Sequence, residues 1–237
     1  MPGRAERPSG AWWTVGRAGI GSLVRLGFRL RVSGAEHIPR TGGAVLASNH
    51  VSVLDPVVVA LAAGRRARSI HYLVVADVFE RPLIGRAMRA LAQVPVRRGI
   101  GDRVAIERLT ALVRAGSLGG VSVEGTVGDG VALQPGQKGA ARVALAAGCP
   151  LIPVGIWGTQ ERWPRPGVRW GRPIRPVVVA IVGEPIALVG DARSRADVRD
   201  ATDRLMDAIG RLVDAARGQQ LPTASPAEGR ARRAARV

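Results

Sequence analysis

The chain has 237 residues, of which 46% are apolar and only 3% aromatic, so small aliphatic side chains must fill its core. This length favours one large domain over two and is sufficient for a substantial buried core. The formal net charge of +17 comes almost wholly from arginine and indicates an anionic partner: a membrane surface, a nucleic acid or a phosphorylated substrate. A single cysteine, Cys149, excludes an internal disulfide and fits a reducing cytosol.

The first 30 residues are predicted to form a loose leader followed by an amphipathic helix over 11–30. Two tryptophans and several arginines in this helix suit a membrane interface, and packing on the chain's own domain is an equal alternative. Arginines interrupt its apolar run, so no membrane span is predicted, and no secretory signal is recognised.

Residues 31–217 are predicted to form the folded domain, and residues 218–237 a disordered basic tail. Apolar runs predict strands at 44–48, 70–75, 93–96, 120–124, 150–157 and 177–182. Helical patterns lie between them, at 56–64, 82–92, 101–115, 138–147 and 194–217. This alternation predicts a single layered α/β domain, in which helices flank a mostly parallel mixed central sheet. The proline-rich stretch 159–176 is interpreted as a surface excursion.

His50 and Asp55 lie at the junction between a predicted strand and a predicted helix. Along one extended strand they would be about 16 Å apart, and on one helix they would occupy different faces. They can therefore touch only if the chain turns between them, which would pair a base with its orienting carboxylate. Structural alternatives remain open: His50 could be a packed histidine. Asp55 could be the N-cap before Pro56, or could form a capping box with Ser52.

Two further stretches contain candidate anion ligands. Arg97 and Arg98 follow the predicted strand at 93–96, where they could bind phosphate or form a solvated turn. Glu124 ends another strand and precedes a glycine-rich loop, whose backbone N–H groups could approach an anion. Lys138 opens a helix, where a cation opposes the helix dipole unless an anion is bound.

A fourth stretch, residues 150–159, is a strand interrupted by Pro153, which indicates an apolar cavity wall or a sheet edge, and a core strand is the alternative interpretation. The four blocks are Asn49–Pro56, Val94–Gly99, Val123–Thr126 and Ile152–Gly155. In this order they resemble the glycerolipid His-x4-Asp acyltransferases, above all the 1-acylglycerol-3-phosphate (lysophosphatidic acid) acyltransferase family. The resemblance extends from about residue 32 to 190.

The resemblance implies that His50 is the general base for an acceptor hydroxyl and that Asp55 orients it. The hydroxyl would attack an acyl thioester, with acyl-CoA or acyl carrier protein as donor and a lysophospholipid as acceptor. Arg98, Glu124, Gly125 and Thr126 match family positions linked to acceptor binding. No metal or other cofactor is implied. A peripheral location on the cytoplasmic face of the cell membrane is expected, held by residues 11–30 and by attraction to an anionic membrane surface.

One departure from the family pattern concerns the acceptor. The family commonly has Phe-Pro-Glu-Gly-Thr-Arg in the third block, whereas Ser122-Val123 precedes Glu124 here and Val127 replaces the arginine. A phosphate contact is thus missing there, which Arg97, Lys138 or Arg142 could replace. Equally, the acceptor could be another lysophospholipid or a glycolipid.

Three alternatives fall outside this mechanism. A serine hydrolase lacks its Gly-x-Ser-x-Gly turn, although Ser48, Ser52 and Ser122 are candidate nucleophiles. Cys149 follows Ala146-Ala147-Gly148 at a predicted buried helix–strand junction, which disfavours a thiol nucleophile. A basic lipid- or nucleic-acid-binding domain is the non-enzyme alternative, but no nucleic-acid partner is expected because the arginines are scattered without a recognition motif.

Overall fold

The computed structural model describes residues 26–97, 101–164 and 175–220, together with Gly19, Gly21, Gly167 and Val168. Within these ranges the chain forms one seven-stranded sheet. Its strands are β1 (Arg29–Ser33), β2 (Ala44–Ser48), β3 (Ile70–Val75), β4 (Val94–Val96), β5 (Leu118–Ser122), β6 (Leu151–Trp157) and β7 (Val177–Val182).

The strands lie in the order β1-β7-β6-β2-β5-β3-β4. β6, β2, β5, β3 and β4 are mutually parallel. β7 runs antiparallel to β6 and parallel to β1, which makes the sheet mixed. The predicted fold class, a mostly parallel mixed sheet flanked by helices, is therefore confirmed.

Helices cover both faces of the sheet. They are α1 (Asp55–Gly64), α2 (Asp77–Glu80), α3 (Pro82–Ala90), α4 (Arg103–Arg114), α5 (Gly139–Ala147) and α6 (Arg195–Gln220). Side chains alternate along β2, so Leu46 contributes to the core under α1 while Val45 and Ala47 contribute to the core under α4, α5 and α6. All of β2 is buried, as a strand covered on both faces should be.

Two predicted elements at the ends of the domain differ from the structure in their extent. The strand β1 begins at Arg29, where the predicted helix 11–30 should still continue. Leu30 and Val32 alternate with arginines in the two-residue period of a strand, but the apolar run before them hides this period. Most of the predicted N-terminal helix lies outside the described residues. Its described position Gly21 is buried, and a Cβ placed there would lie 3.3 Å from Leu61 of α1.

At the other end, α6 continues to Gln220, so the first three residues of the predicted tail are helical. The Gln220 amide donates to the Val177 carbonyl at 3.0 Å and also bonds Glu161, which fixes the last helical turn. The predicted remainder of the tail, residues 221–237, lies outside the described residues.

Of the alternatives for the Pro153 strand, the sheet edge is wrong and the core strand is confirmed, since all of β6 except Trp157 is buried. β6 lies between β2 and β7, and its pairing with β7 begins at Val154, one residue after the proline. The five parallel strands all end at the same edge of the sheet, here called the carboxyl edge. Because His50, Arg97, Glu124 and Thr159 follow four of these strands, this edge brings the predicted blocks together.

Candidate active site

His50 and Asp55 meet at the carboxyl edge, where β2 turns into α1. The His50 Nδ1 lies 3.1 Å from the Asp55 Oδ2. The turn predicted between them is therefore present. The His50 side chain retains 13% of its exposure, whereas the Asp55 side chain is fully buried. The imidazole can thus meet a substrate from one side while its partner is shielded from water.

The Asp55 carboxylate is saturated with hydrogen bonds. Its Oδ2 accepts from the backbone N–H groups of Val51, at 2.7 Å, and Ser52, at 2.8 Å, as well as contacting His50. Its Oδ1 accepts from the Thr159 hydroxyl at 2.6 Å. An oxygen already bound by two fixed N–H donors acts as an acceptor, so the His50 Nδ1 carries the proton. The Nε2 lone pair is then available to take a proton from a substrate.

The alternative that Asp55 caps a helix does not describe this carboxylate. Asp55 is itself the first residue of α1, and no side chain caps the helix at Leu54. The carboxylate instead turns back to bind the preceding turn, while Pro56 occupies a first-turn position that needs no N–H partner.

Glu124 holds the backbone of His50. Its Oε1 accepts from the His50 N–H at 2.6 Å, and its Oε2 accepts from the Gln134 N–H at 3.0 Å. The His50 carbonyl accepts from the Gly128 N–H at 2.7 Å. Burial raises the pKa of the Glu124 carboxyl, and the two backbone donors oppose that rise. The loop after β5 therefore fixes His50 through both of its backbone polar groups, its N–H and its carbonyl.

Asn49 joins the same turn to β6. Its side-chain amide donates to the Ile156 carbonyl at 2.9 Å and accepts from the Ile156 N–H at 2.8 Å. This buried pair of bonds continues the β2–β6 pairing by one position beyond the end of β2. Asn49 thus anchors the His50 turn to β6, and Glu124 anchors the same turn to the loop after β5.

A buried tyrosine supports the turn from below. The Tyr72 hydroxyl lies 3.2 Å from the Ser48 hydroxyl, two residues before His50. Burial raises the pKa of this phenol far above its usual value, so it stays neutral. A Cβ added at Gly120 would come within 2.2 Å of the Tyr72 ring, so glycine is required for the ring to lie on β5.

Among the other predicted ligands, Arg97, Gly125, Thr126 and Lys138 lie along the carboxyl edge. Arg97 is exposed after the edge strand β4, and its N–H donates to Asp102 at 3.0 Å. Arg98 lies outside the described residues. Gly125 adopts a φ of +67°, which favours glycine, and Thr126 is half-buried. Lys138 is exposed immediately before α5. Their roles in substrate binding remain predictions.

Three of the four rival nucleophiles are poorly placed. Cys149 precedes β6 and so lies at the opposite edge of the sheet from His50, and burial raises the pKa of its thiol to about 11. Ser48 and Ser52 are fully buried, and the Ser52 hydroxyl accepts from the Leu54 N–H at 3.2 Å. In the described ranges, no group of three or more His, Cys, Asp and Glu residues is placed to hold a metal ion.

Sequence reasoning missed three residues that shape the site: Asn49, Gly128 and Thr159. Asn49 lies in the first block and Thr159 lies four residues after the fourth, but neither side chain titrates, and acid–base chemistry was the signal for the candidate residues. Asn49 directly follows β2, and Thr159 lies two residues after the end of β6. Their position at the carboxyl edge of the sheet is the signal that could have identified them. Gly128 gave no separate signal, because its contribution is a backbone N–H.

The family model described as Acyltransferase matches residues 29–157, which include the whole His50 turn. An uncharacterised protein of Mycobacterium leprae is 32% identical over 149 residues, covering 58% of this chain and 38% of that protein. A 1-acyl-sn-glycerol-3-phosphate acyltransferase of Borreliella burgdorferi is 26% identical over 155 residues, covering 59% and 56%. The chain therefore spans roughly two fifths to just over half the length of these relatives.

Among solved structures, the 1-acyl-sn-glycerophosphate (LPA) acyltransferase PlsC of Thermotoga maritima has a similar fold. It superposes with a TM-score of 0.64 at 21% identity, over 86% of this chain and 80% of that one. At this identity the likeness concerns the fold. Of the helices in the described ranges, none is both long and apolar enough to cross a membrane.

Proposed function

Because the chain belongs to the acyltransferase family, we propose that it makes phosphatidic acid. It would transfer a fatty acyl group from acyl-CoA or acyl carrier protein to the free hydroxyl of 1-acylglycerol-3-phosphate. The observation that carries the proposal is the His50–Asp55 pair, whose Nδ1–H is held by a saturated, buried carboxylate.

The proposed reaction is a direct transfer. The His50 Nε2 takes the proton of the acceptor hydroxyl as its oxygen bonds to the thioester carbonyl carbon, and the carbonyl electrons move onto oxygen. When this tetrahedral intermediate collapses, the carbonyl forms again, the carbon–sulfur bond breaks, and the leaving thiolate takes the proton from Nε2. Asp55 stabilises the imidazolium between the two steps.

The test is an acceptor panel assayed with acyl-CoA on the wild type and on His50→Ala. Loss of the base is expected to lower kcat by about 10²- to 10⁴-fold. His37→Ala is the matched control, since His37 bonds the Val182 carbonyl at the opposite edge of the sheet. Transfer that survives in His50→Ala, with the protein folded, would overturn the mechanism. A labelled acyl-enzyme trapped from the thioester would instead favour a covalent nucleophile.

A second acceptor class stays within the proposal because of Val127. With no cation at that position of the loop, a larger lysophospholipid or a glycolipid is the alternative acceptor. The same panel decides between them, because a lysophosphatidic acid enzyme should prefer the phosphate monoester by its kcat/KM.

The proposed place of action is the cytoplasmic face of the cell membrane, with the carboxyl edge facing lipid. Large exposed apolar side chains follow all five parallel strands there: Val53, Leu83, Ile84, Val104, Val131 and Trp163. α3 supports lipid contact most directly. Gly85 is its only buried residue, and Arg86 and Arg89 are exposed beside its apolar side chains. Such a face suits an anionic membrane surface.

Co-sedimentation with vesicles tests this orientation. Leu83→Asp is expected to reduce binding to vesicles that contain phosphatidylglycerol, while Val189→Asp should not. Val189 is equally apolar and 96% exposed, but it follows β7 at the opposite edge. Removing residues 1–25 tests the predicted N-terminal anchor and spares Phe28 and β1, which belong to the folded domain. Equal losses for both point variants would contradict the orientation.

A further inference from the structure

A cavity of about 240 Å³ opens beside the catalytic turn, on the side of the sheet covered by α6. Asn49 and Val51, the two neighbours of His50 in the chain, form one wall. The loop residues 130–133 and the C-terminal part of α6 form the others, with Trp157 at the end of β6. The cavity is far larger than the roughly 10–15 Å³ that a single water needs.

Arg217 of α6 faces this cavity with unused hydrogen-bond donors. Its guanidinium lies over the Trp157 ring, 4.1 Å from the ring centroid. Its Nη2 donates a long hydrogen bond of 3.3 Å to the Gly130 carbonyl. Its Nε is buried and has no hydrogen-bond partner within the described residues. A buried N–H without an acceptor costs about 1–3 kcal/mol, so a donor of this kind requires an explanation.

The carboxylates of the cavity do not supply the acceptor. Both oxygens of Glu124 are engaged by the backbone N–H groups of His50 and Gln134. Asp214 lies on the cavity wall, but no ion pair joins it to Arg217 in the part of the chain that the structure describes. Trp157 covers one face of the guanidinium and Nη2 bonds Gly130, so the N–H groups on the Nη1 side have no acceptor among the described residues. A pair of in-plane N–H groups of this kind matches two oxygens of a phosphate group.

The position of Arg217 also bears on Val127. The arginine bonds the Gly130 carbonyl, so it brings a guanidinium to the loop in which Val127 stands where relatives commonly have arginine. A cation supplied by α6 lies beyond every motif recognised in the sequence.

We propose that Arg217 binds a phosphate group of a substrate in this cavity. The proposal rests on the proposed acyl transfer for the identity of the substrate, and two sources share the chemistry: the head group of the acceptor lipid, and the phosphates of coenzyme A or of the phosphopantetheine arm. In either case, the phosphate would lie in a cavity whose wall includes Asn49 and Val51, the two neighbours of His50 in the chain.

Inorganic phosphate is the first probe, because its binding needs no catalytic turnover. Wild type, Arg217→Gln and Arg211→Gln are melted with rising phosphate at constant ionic strength. Arg211 is an exposed arginine of the same helix, so its variant has the same net charge and reports non-specific binding. Phosphate should raise the Tm of the wild type and of Arg211→Gln, and raise that of Arg217→Gln less. Equal increases in all three proteins would overturn the site.

Kinetics then identify the source of the phosphate. In Arg217→Gln the KM for one substrate should rise about 10- to 100-fold, as expected for a lost charged hydrogen bond. A rise for the acceptor assigns the lipid head group, and a rise for acyl-CoA assigns the donor. KM values for both substrates that match Arg211→Gln would overturn the assignment to a substrate.

Arg217→Lys keeps the charge without the planar fork and serves if the glutamine variant is unstable. It should recover only part of the phosphate effect, and full recovery would contradict bidentate binding. If no variant, nor the wild type, transfers acyl groups, the proposed function fails, while the phosphate melts still decide the site.

Discussion

Asp55→Asn separates the charge of Asp55 from its geometry. The amide oxygen of asparagine can take the place of Oδ2, because the N–H groups of Val51 and Ser52 and the His50 Nδ1–H all require an acceptor there. The amide NH₂ then faces the Thr159 hydroxyl, which can accept as well as donate. The imidazole should therefore keep its orientation and its tautomer while the negative charge disappears.

The size of the loss follows from the distance between the charges. At about 4 Å and an effective dielectric constant of about 20, an imidazolium–carboxylate pair is worth about 4 kcal/mol. If only half of the positive charge has formed in the transition state, the loss is about 2 kcal/mol. These limits predict that kcat falls between about 30-fold and about 1000-fold.

The assay measures release of coenzyme A thiol from acyl-CoA with saturating acceptor, and thermal melts verify folding. Thr159→Val is the comparison, since it removes the donor to Oδ1 and keeps the charge. Its kcat should fall less than tenfold. A folded Asp55→Asn protein that stays within threefold of the wild-type kcat would refute electrostatic stabilisation. A Thr159→Val loss equal to that of Asp55→Asn would assign the effect to geometry.

Three further predictions concern stability and reactivity. Gly120→Ala should lower the Tm, because the added methyl group would lie 2.2 Å from the Tyr72 ring. Gly218→Ala is the control and should raise the Tm slightly, because a Cβ at this helical position meets nothing within 4 Å. An unchanged Tm for Gly120→Ala would show that the ring can move. Burial raises the pKa of Glu124, so the folded state keeps the proton of this carboxyl to a higher pH than the unfolded state does. The Tm of the wild type relative to that of Glu124→Gln should therefore fall as pH rises above about 4.3. A rise in this Tm difference would mean that the hydrogen bonds to the carboxylate outweigh its burial. Cys149, with a pKa of about 11, should react with iodoacetamide at pH 8 about 200-fold more slowly than a free cysteine. Cys149→Ser should retain acyltransferase activity, and loss of that activity would support a thiol nucleophile.

The interior of the sheet could be predicted from the sequence because its strands carry two independent signals. β2, β3 and β7 have the predicted bounds, since each is a mainly apolar run and each is followed by a turn that contains a polar residue or glycine; these are the two signals. β1 could not be recognised, because it follows another apolar run directly and its arginines interrupt any aliphatic pattern. Strand order was also beyond the sequence, since the antiparallel placement of β7 depends on packing against β6 and α6.

For the site, spacing alone indicated that His50 and Asp55 require a turn, and the structure supplies it. What spacing could not indicate is how the turn is held. Thr159 reaches Asp55 across 104 positions of the chain, and Asn49 reaches Ile156 across 107. Contacts of this kind depend on β2 and β6 being neighbours, which no local pattern reveals. Arg217 was missed for the same reason, because its helix returns to the carboxyl edge only through the fold.

The departure of the third block from the family pattern has a structural consequence of its own. Where relatives commonly have proline, Val123 donates its N–H to the Ser48 carbonyl at 2.9 Å. Proline has no N–H, so this bond between β5 and the end of β2 depends on the substitution. The bond lies two residues before His50, next to the contact of Glu124 with the His50 N–H. The two substitutions in this block therefore have different effects. Val123 adds a hydrogen bond to the strand end that precedes His50, whereas Val127 leaves the following loop without a cation at that position.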